Sequence, residues 1–119
     1  MSSDEEMMSR GDFLQLLQTK EKPLLVKFTA EWCGPCKRSK PLVTAFLTDD
    51  VLARLTYLEI DIDQSVDVYA YMKTKRMLNG IPTLFFYDKS NRHFPPTYSI
   101  STGKESVIED FLKVVAGAI

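Results

Sequence analysis

Four strand-like runs alternate with stretches of helical period along this chain, in the order αβαβαββα. That alternation leaves few architectures open. Strands joined through helices pair in parallel in a sheet covered on both faces, and a closing hairpin makes such a sheet mixed. The expected class is therefore α/β, a mixed central sheet flanked by helices on both faces. At 119 residues the chain has room for one domain. Folding at this size buries roughly two thirds of the unfolded chain's surface, so a hydrophobic core suffices without staples.

The elements follow from local pattern. Ser9 with Asp12 forms a capping box, and Phe13, Leu14, Leu16 and Leu17 give the first helix one apolar face up to Lys20. Pro23 opens the run Leu24 to Ala30, a buried strand broken only by Lys27. A second helix is expected over Cys33 to Leu47, burying Leu42, Val43, Phe46 and Leu47, with Pro41 inside it as a kink. Leu55 to Asp63 alternates as a strand, and a third helix is read from Val66 to Arg76 on Val66, Tyr69, Met72 and Met77. Thr83 to Tyr87 and Thr97 to Ser101 make the hairpin across the polar turn of residues 88–96. A Thr102-x-x-Glu105 capping box opens the last helix, with Val107, Ile108, Phe111, Leu112 and Val115 inward. Residues 1–8 read as a short acidic tail before a single domain over 9–119.

The chemistry concentrates where the first strand turns into the second helix. Cys33 and Cys36 stand three apart in Trp32-Cys33-Gly34-Pro35-Cys36, directly before the helix. A first cysteine there meets unpaired backbone N–H groups and the positive end of the helix dipole, both of which favour a thiolate. Lys37, Arg38 and Lys40 add positive charge nearby. The thiolate is the species that attacks a disulfide, so Cys33 is the candidate nucleophile and Cys36, one turn in, the resolving thiol. Pro35 stiffens the loop between them. Two other readings stay open. Structural zinc wants four ligands, and the chain offers two cysteines and the single His93, itself in a polar loop. A buried, inert pair would leave the surrounding Trp and Gly-Pro as coincidence.

Composition narrows the function further. Fifteen basic against sixteen acidic side chains leave a formal charge of -1, too balanced for a general attraction to nucleic acid or anionic membrane. The N-terminal MSSDEEMMSR lacks the apolar core of a signal peptide. The expected compartment is the cytoplasm, where an isolated cysteine pair is more often catalytic or metal-binding than structural.

The segment Ala30-Glu31-Trp32-Cys33-Gly34-Pro35-Cys36-Lys37 resembles the active-site segment of the thioredoxin family, and Gly80-Ile81-Pro82-Thr83 resembles that family's second signature. The resemblance extends over most of the chain, with Pro41 at the place of the family's helix kink. It implies a protein-disulfide reductase of thioredoxin type that cycles Cys33 and Cys36 between dithiol and disulfide. No bound cofactor or metal is implied. The implied partners are protein disulfides and a thioredoxin reductase-type recycling enzyme, with the chain itself a monomer. It also implies a cis peptide at Pro82 facing the cysteines, a free Ile81 backbone to pair with an extended substrate, and Trp32 covering the disulfide; Gly34, Pro35 and Lys37 complete the supporting loop. A second function remains open: a thioredoxin-fold binding module or assembly subunit in which the dithiol is secondary.

The sequence departs from the family at several places. Where many members carry a buried acid and a neighbouring lysine, this chain has Lys27 and Glu59, with the charges exchanged. Either the two pair locally or Lys27 snorkels to water past the helices and Glu59 is simply exposed. Ser101 aligns with a groove-lining glycine, a change expected to narrow or re-polarise the cleft. The segments 64–79 and 88–96 look long, and the family's first strand has no counterpart in the polar N-terminus.

Overall fold

The structure is a computed structural model that describes residues 7–119. The acidic tail expected over residues 1–8 lies outside the described residues but for Met7 and Met8. Met7 is exposed, whereas Met8 packs on the core and donates its N–H to Ser65 Oγ.

The elements are α1 (Arg10–Thr19), β1 (Leu24–Thr29), α2 (Gly34–Phe46), α3 (Asp49–Arg54), β2 (Thr56–Asp61), α4 (Val66–Thr74), β3 (Thr83–Tyr87), β4 (Tyr98–Ser101) and α5 (Glu105–Gly117). The four strands lie in the order β2-β1-β3-β4. β1 runs parallel to β2, and β3 is antiparallel to both β1 and β4, so the expected mixed sheet forms. No strand precedes α1 among the described residues, which leaves β2 and β4 as the two edges.

Strand alternation sorts the core into two faces. On one, Leu24, Val26 and Phe28 of β1 join Leu58, Ile60, Phe85 and Tyr87 under α1 and α4. On the other, Leu25, Leu84 and Phe86 meet Ile108, Phe111, Leu112 and Val115 of α5. β1 is covered on both faces, which is why its sequence is nearly continuous apolar residues rather than an alternating pattern. Lys27 shares the alternation of Leu25 and is nevertheless only 2% exposed.

α1 begins as its sequence dictates: Ser9 Oγ accepts from Asp12 N–H while the Asp12 carboxylate accepts from Ser9 N–H. Arg10 then ties α1 to α4 through an ion pair with Asp67, 2.9 Å long. Residues 88–96 are held down rather than free. The Lys20 ammonium donates to the carbonyls of Lys89 and Asn91, the Arg92 guanidinium to that of Gln18, and the Tyr87 hydroxyl to that of Phe94. Phe94 in turn stacks on Phe13, and its ring lies tilted against that of Tyr71.

Four sequence expectations need correction. A short helix, α3, lies where none was read; six residues are too few to show a 3.6-residue period, although Thr48 caps it through Val51 N–H. In α4 the buried face is Val68 and Met72, an i,i+4 pair, and Val66 is 58% exposed, so the apolar stripe is rotated from the expected one. The Thr102-x-x-Glu105 box does not form: α5 starts after Lys104, and Thr102 Oγ1 accepts from Lys104 N–H in a local turn. Val107, expected inward, is on the exposed side.

Candidate active site

The chain leaves β1 at Thr29 and turns through 30–33 into α2, so the residue at the mouth of the helix is fixed by the strand it follows. That residue is Cys33. It is the N-cap of α2, with extended backbone, and its Sγ accepts the Cys36 N–H at 3.1 Å. A sulfur thus occupies the position that a Ser or Asp oxygen ordinarily takes at a helix start. Pro35 lies in the first turn, where its missing N–H costs no intrahelical bond. Cys33 and Cys36 are joined as a disulfide with Cα atoms 5.2 Å apart, within the ordinary range for that bond. Cys33 is 4% exposed as a residue and Cys36 1%, so the difference between them is slight in the oxidised form.

The surroundings explain how the pair is held. Trp32 is 66% exposed, and its Nε1–H donates to Asp63 Oδ2 at 2.7 Å, anchoring the indole at one end while its face stays open. Asp63 was not singled out from sequence, because it lies just beyond a strand end and belongs to no motif. Trp32 is the single tryptophan of the chain, so its emission reports this contact. Asp63→Ala is expected to change the emission spectrum while lowering stability by no more than about 1 kcal/mol, since the bond is exposed. An unchanged spectrum would show that the contact does not set the indole's environment.

Behind the disulfide, Lys27 Nζ donates to the Cys36 carbonyl at 3.1 Å, and Ser39 Oγ donates to the same oxygen at 2.9 Å. Lys27 and Glu59 are register partners across β1 and β2, but the ion pair considered for them is not formed. The ammonium is taken up by the helix carbonyl, and the Glu59 carboxylate accepts from the Tyr57 hydroxyl at 2.8 Å. Burial lowers the Lys27 pKa, with the Glu59 charge opposing that shift and the Lys40 charge adding to it. Burial, then the Glu59 charge and hydrogen bond, push the Tyr57 hydroxyl up, which keeps it a donor. Lys27, Cys36, Lys40, Glu59 and Asp61 line a cavity of about 610 Å³ beneath the start of α2. No cluster of His, Cys, Asp and Glu able to hold a metal occurs among the described residues.

The second signature arrives from β3. The Ile81-Pro82 peptide is cis, and Ile81 packs against the cluster that contains both cysteines. Thr83 Oγ1 bonds the Gly80 carbonyl and shares a 2.7 Å hydrogen bond with Ser101 Oγ, its register partner on β4. Ser101 therefore spends its hydroxyl on β3, beside Pro82. The residue that closes on the cysteine loop is Gly103: a Cβ there would lie 2.7 Å from Pro35 Cβ. Sequence alignment drew attention to Ser101 and passed over Gly103. Gly103→Ala is expected to cost about 1 to 3 kcal/mol by forcing these loops apart. It should also slow reduction of a disulfide substrate; unchanged melting would show that Pro35 yields freely. Lys37 and Pro35 are exposed, Gly34 is half-buried, and His93 is an exposed loop residue whose N–H bonds Asn91 Oδ1.

A mixed sheet with a helix-capping Cys-x-x-Cys disulfide and a cis-proline before the neighbouring strand defines a redox-active dithiol protein. The thioredoxin family model matches residues 5–113, and the chain belongs to that family. It is 38% identical over 72 residues to thioredoxin of Mus musculus, a match covering 60% of this chain and 63% of the mouse protein. The matched stretch thus spans less than two thirds of that relative. With thioredoxin of Equus caballus it is 33% identical over 88 residues, covering 73% and 78% of the two chains. The solved structure of Trichomonas vaginalis thioredoxin superposes with a TM-score of 0.71 at 20% identity, covering 94% of this chain and 98% of that one, and so supports the fold.

Proposed function

We propose that the protein is a thiol-disulfide oxidoreductase that reduces disulfides in other proteins. The observation that carries this reading is the placement of Cys33 Sγ as the acceptor at the start of α2, closed onto Cys36 one turn later. In the reduced protein the same N–H and the helix dipole favour a thiolate at Cys33. That thiolate attacks one sulfur of the substrate disulfide, the other sulfur leaves as a thiolate and takes a proton from solvent, and Cys33 is left in a mixed disulfide. Cys36 then loses its proton and attacks Cys33 Sγ, which releases the second substrate sulfur and closes the Cys33–Cys36 bond. Two electrons have passed from the dithiol to the substrate. A reductase of thioredoxin-reductase type returns them, and the protein itself needs no bound cofactor.

The supporting roles follow from the positions given above. Pro82 and the Ile81 backbone offer an edge to an extended substrate segment, whose main-chain bonds would give affinity with little demand on side chains. Trp32 and Pro35 supply the exposed apolar rim, with Gly103 behind Pro35. Among the described residues no helix is long and apolar enough to cross a membrane, and a cytoplasmic, monomeric protein is the proposed setting. The test is reduction of insulin disulfides by dithiothreitol with the protein as catalyst. Catalysis at substoichiometric protein is expected; a parent protein no faster than dithiothreitol alone would refute the reading and favour a binding module.

A further inference from the structure

A second cavity, of about 490 Å³, opens beside the cis-proline strand and is lined by Lys73, Arg76, Met77, Leu78, Asn79 and Ser101. Its charged walls are both cationic. Lys73 and Arg76 are exposed, and neither takes part in an ion pair among the described residues. Lys73 Nζ lies 5.9 Å from the centroid of the Tyr69 ring, a contact that positions the ammonium without neutralising it.

Arg76 is the more informative residue. It has a φ of 59° just past the end of α4, where the Met77 N–H reaches back to the Met72 carbonyl. That is the left-handed position after a helix at which glycine is the usual occupant. Favourable interaction of cations with a helix C-terminus accounts for Lys73 in the last turn of α4 and Lys75 at its C-cap. It does not account for a long cationic side chain at a position whose backbone favours glycine.

The cavity adjoins the cysteine loop. Ser101 lines it, and Gly103, two residues on, abuts Pro35. Two residues span at most about 7 Å, so Ser101 lies within about 7 Å of the residue that touches the cysteine loop, and an extended segment with its cysteine at the disulfide would reach the cavity a few positions away. The first cavity, by contrast, carries both signs, with Glu31, Glu59 and Asp61 set among Lys27, Lys37 and Lys40, and Asp63 lies on Trp32. With a formal charge of -1 overall, the chain exerts no general pull on anions, so any preference for them must be local.

We propose that Lys73 and Arg76 form a specificity site that selects protein disulfides whose reactive cysteine has aspartate or glutamate a few residues away. This rests on the disulfide-reductase reading and adds the class of substrate. The probes are disulfide-linked peptides identical except for flanking Glu, Gln or Lys, placed before or after the cysteine in separate sets. Their kcat/KM values are compared for the parent and for Lys73→Gln/Arg76→Gly, in which glycine suits the backbone at residue 76.

In the parent, one Glu set should be reduced about five-fold faster than its Gln counterpart at ~0.01 M ionic strength and show little advantage at ~1 M, where the screening length falls from ~30 to ~3 Å. In the double variant the Glu-to-Gln ratio should fall to about one. Loss of fold would slow all peptides without changing that ratio. A parent ratio near one, or a ratio that survives in the variant, overturns the specificity site while leaving the reductase reading intact. Failure of the parent to reduce any peptide overturns both.

Discussion

Cys36→Ser is expected to accumulate covalent mixed disulfides with substrate proteins, whereas Cys33→Ser is expected to accumulate none, and neither variant should turn over. The asymmetry follows from position. Cys33 Sγ sits at the N-cap, where the Cys36 N–H and the helix dipole support negative charge, while Cys36 lies inside the first turn beneath its carbonyl's bonds to Lys27 and Ser39. With Cys36 removed, attack by Cys33 still forms the mixed disulfide, and no second thiol is present to resolve it. With Cys33 removed, the remaining thiol lies inside the helix and lacks the N-cap position that stabilises a thiolate. The measurement is non-reducing electrophoresis of each variant after incubation with a disulfide-bonded protein, together with the insulin assay. Because both steps need their own sulfur, steady-state activity should fall to the uncatalysed rate in each, a loss of several orders of magnitude on the scale of nucleophile deletions. Adducts formed by Cys33→Ser but not by Cys36→Ser would reverse the assignment of attacking and resolving sulfur.

The parts of this molecule that depend on chain-local physics were legible before the structure. The Ser9/Asp12 box, the covered strand over Leu24–Thr29, the cysteines at the start of a helix and the β3/β4 hairpin all carry their cause within a few residues. What was misplaced depended on contacts between distant segments. The rotation of α4 that exposes Val66 is set by which side faces the sheet, and Tyr69 and Met77 offered nearly the same stripe. The Thr102 box failed because Gly103 has to pass close to Pro35, a contact across 68 residues of sequence that no capping rule contains. At the site, the identities of Cys33, Cys36 and Trp32 were plain, but Asp63 as partner of the indole was not. The geometry of Lys27 and Glu59 was legible only as an exchange of charge. That the ammonium would choose a helix carbonyl over the carboxylate opposite it follows from how α2 lies on β1.

That choice gives Lys27→Met its expected consequences for both redox behaviour and stability. A cation held on the Cys36 carbonyl lowers the energy of negative charge on the nearby sulfurs, so it favours the reduced, thiolate-bearing form over the disulfide. Removing it should raise the apparent pKa of Cys33 and make the couple more reducing, by roughly 30 mV if the effect is tenfold. Glu59→Gln should leave the thiol curve unchanged or move it the other way, because the carboxylate opposes the lysine's charge without bonding it. The stability effect has its own sign. Burial lowers the Lys27 pKa from its ordinary 10.5, so between the folded and unfolded values the unfolded chain binds more protons. The cost of burying the ammonium is thus present in full below the folded pKa and disappears as pH rises toward 10.5. Methionine carries no such cost and fills a similar volume. Lys27→Met should therefore gain stability relative to the parent most below the folded lysine's pKa, with the difference narrowing as the pH is raised toward 10.5. Denaturant unfolding of both proteins across that interval, alongside thiolate absorbance and a glutathione redox titration, separates the two effects. Thiol and redox curves that overlay the parent's would show that Lys27 only supports the helix carbonyl and does not tune the disulfide.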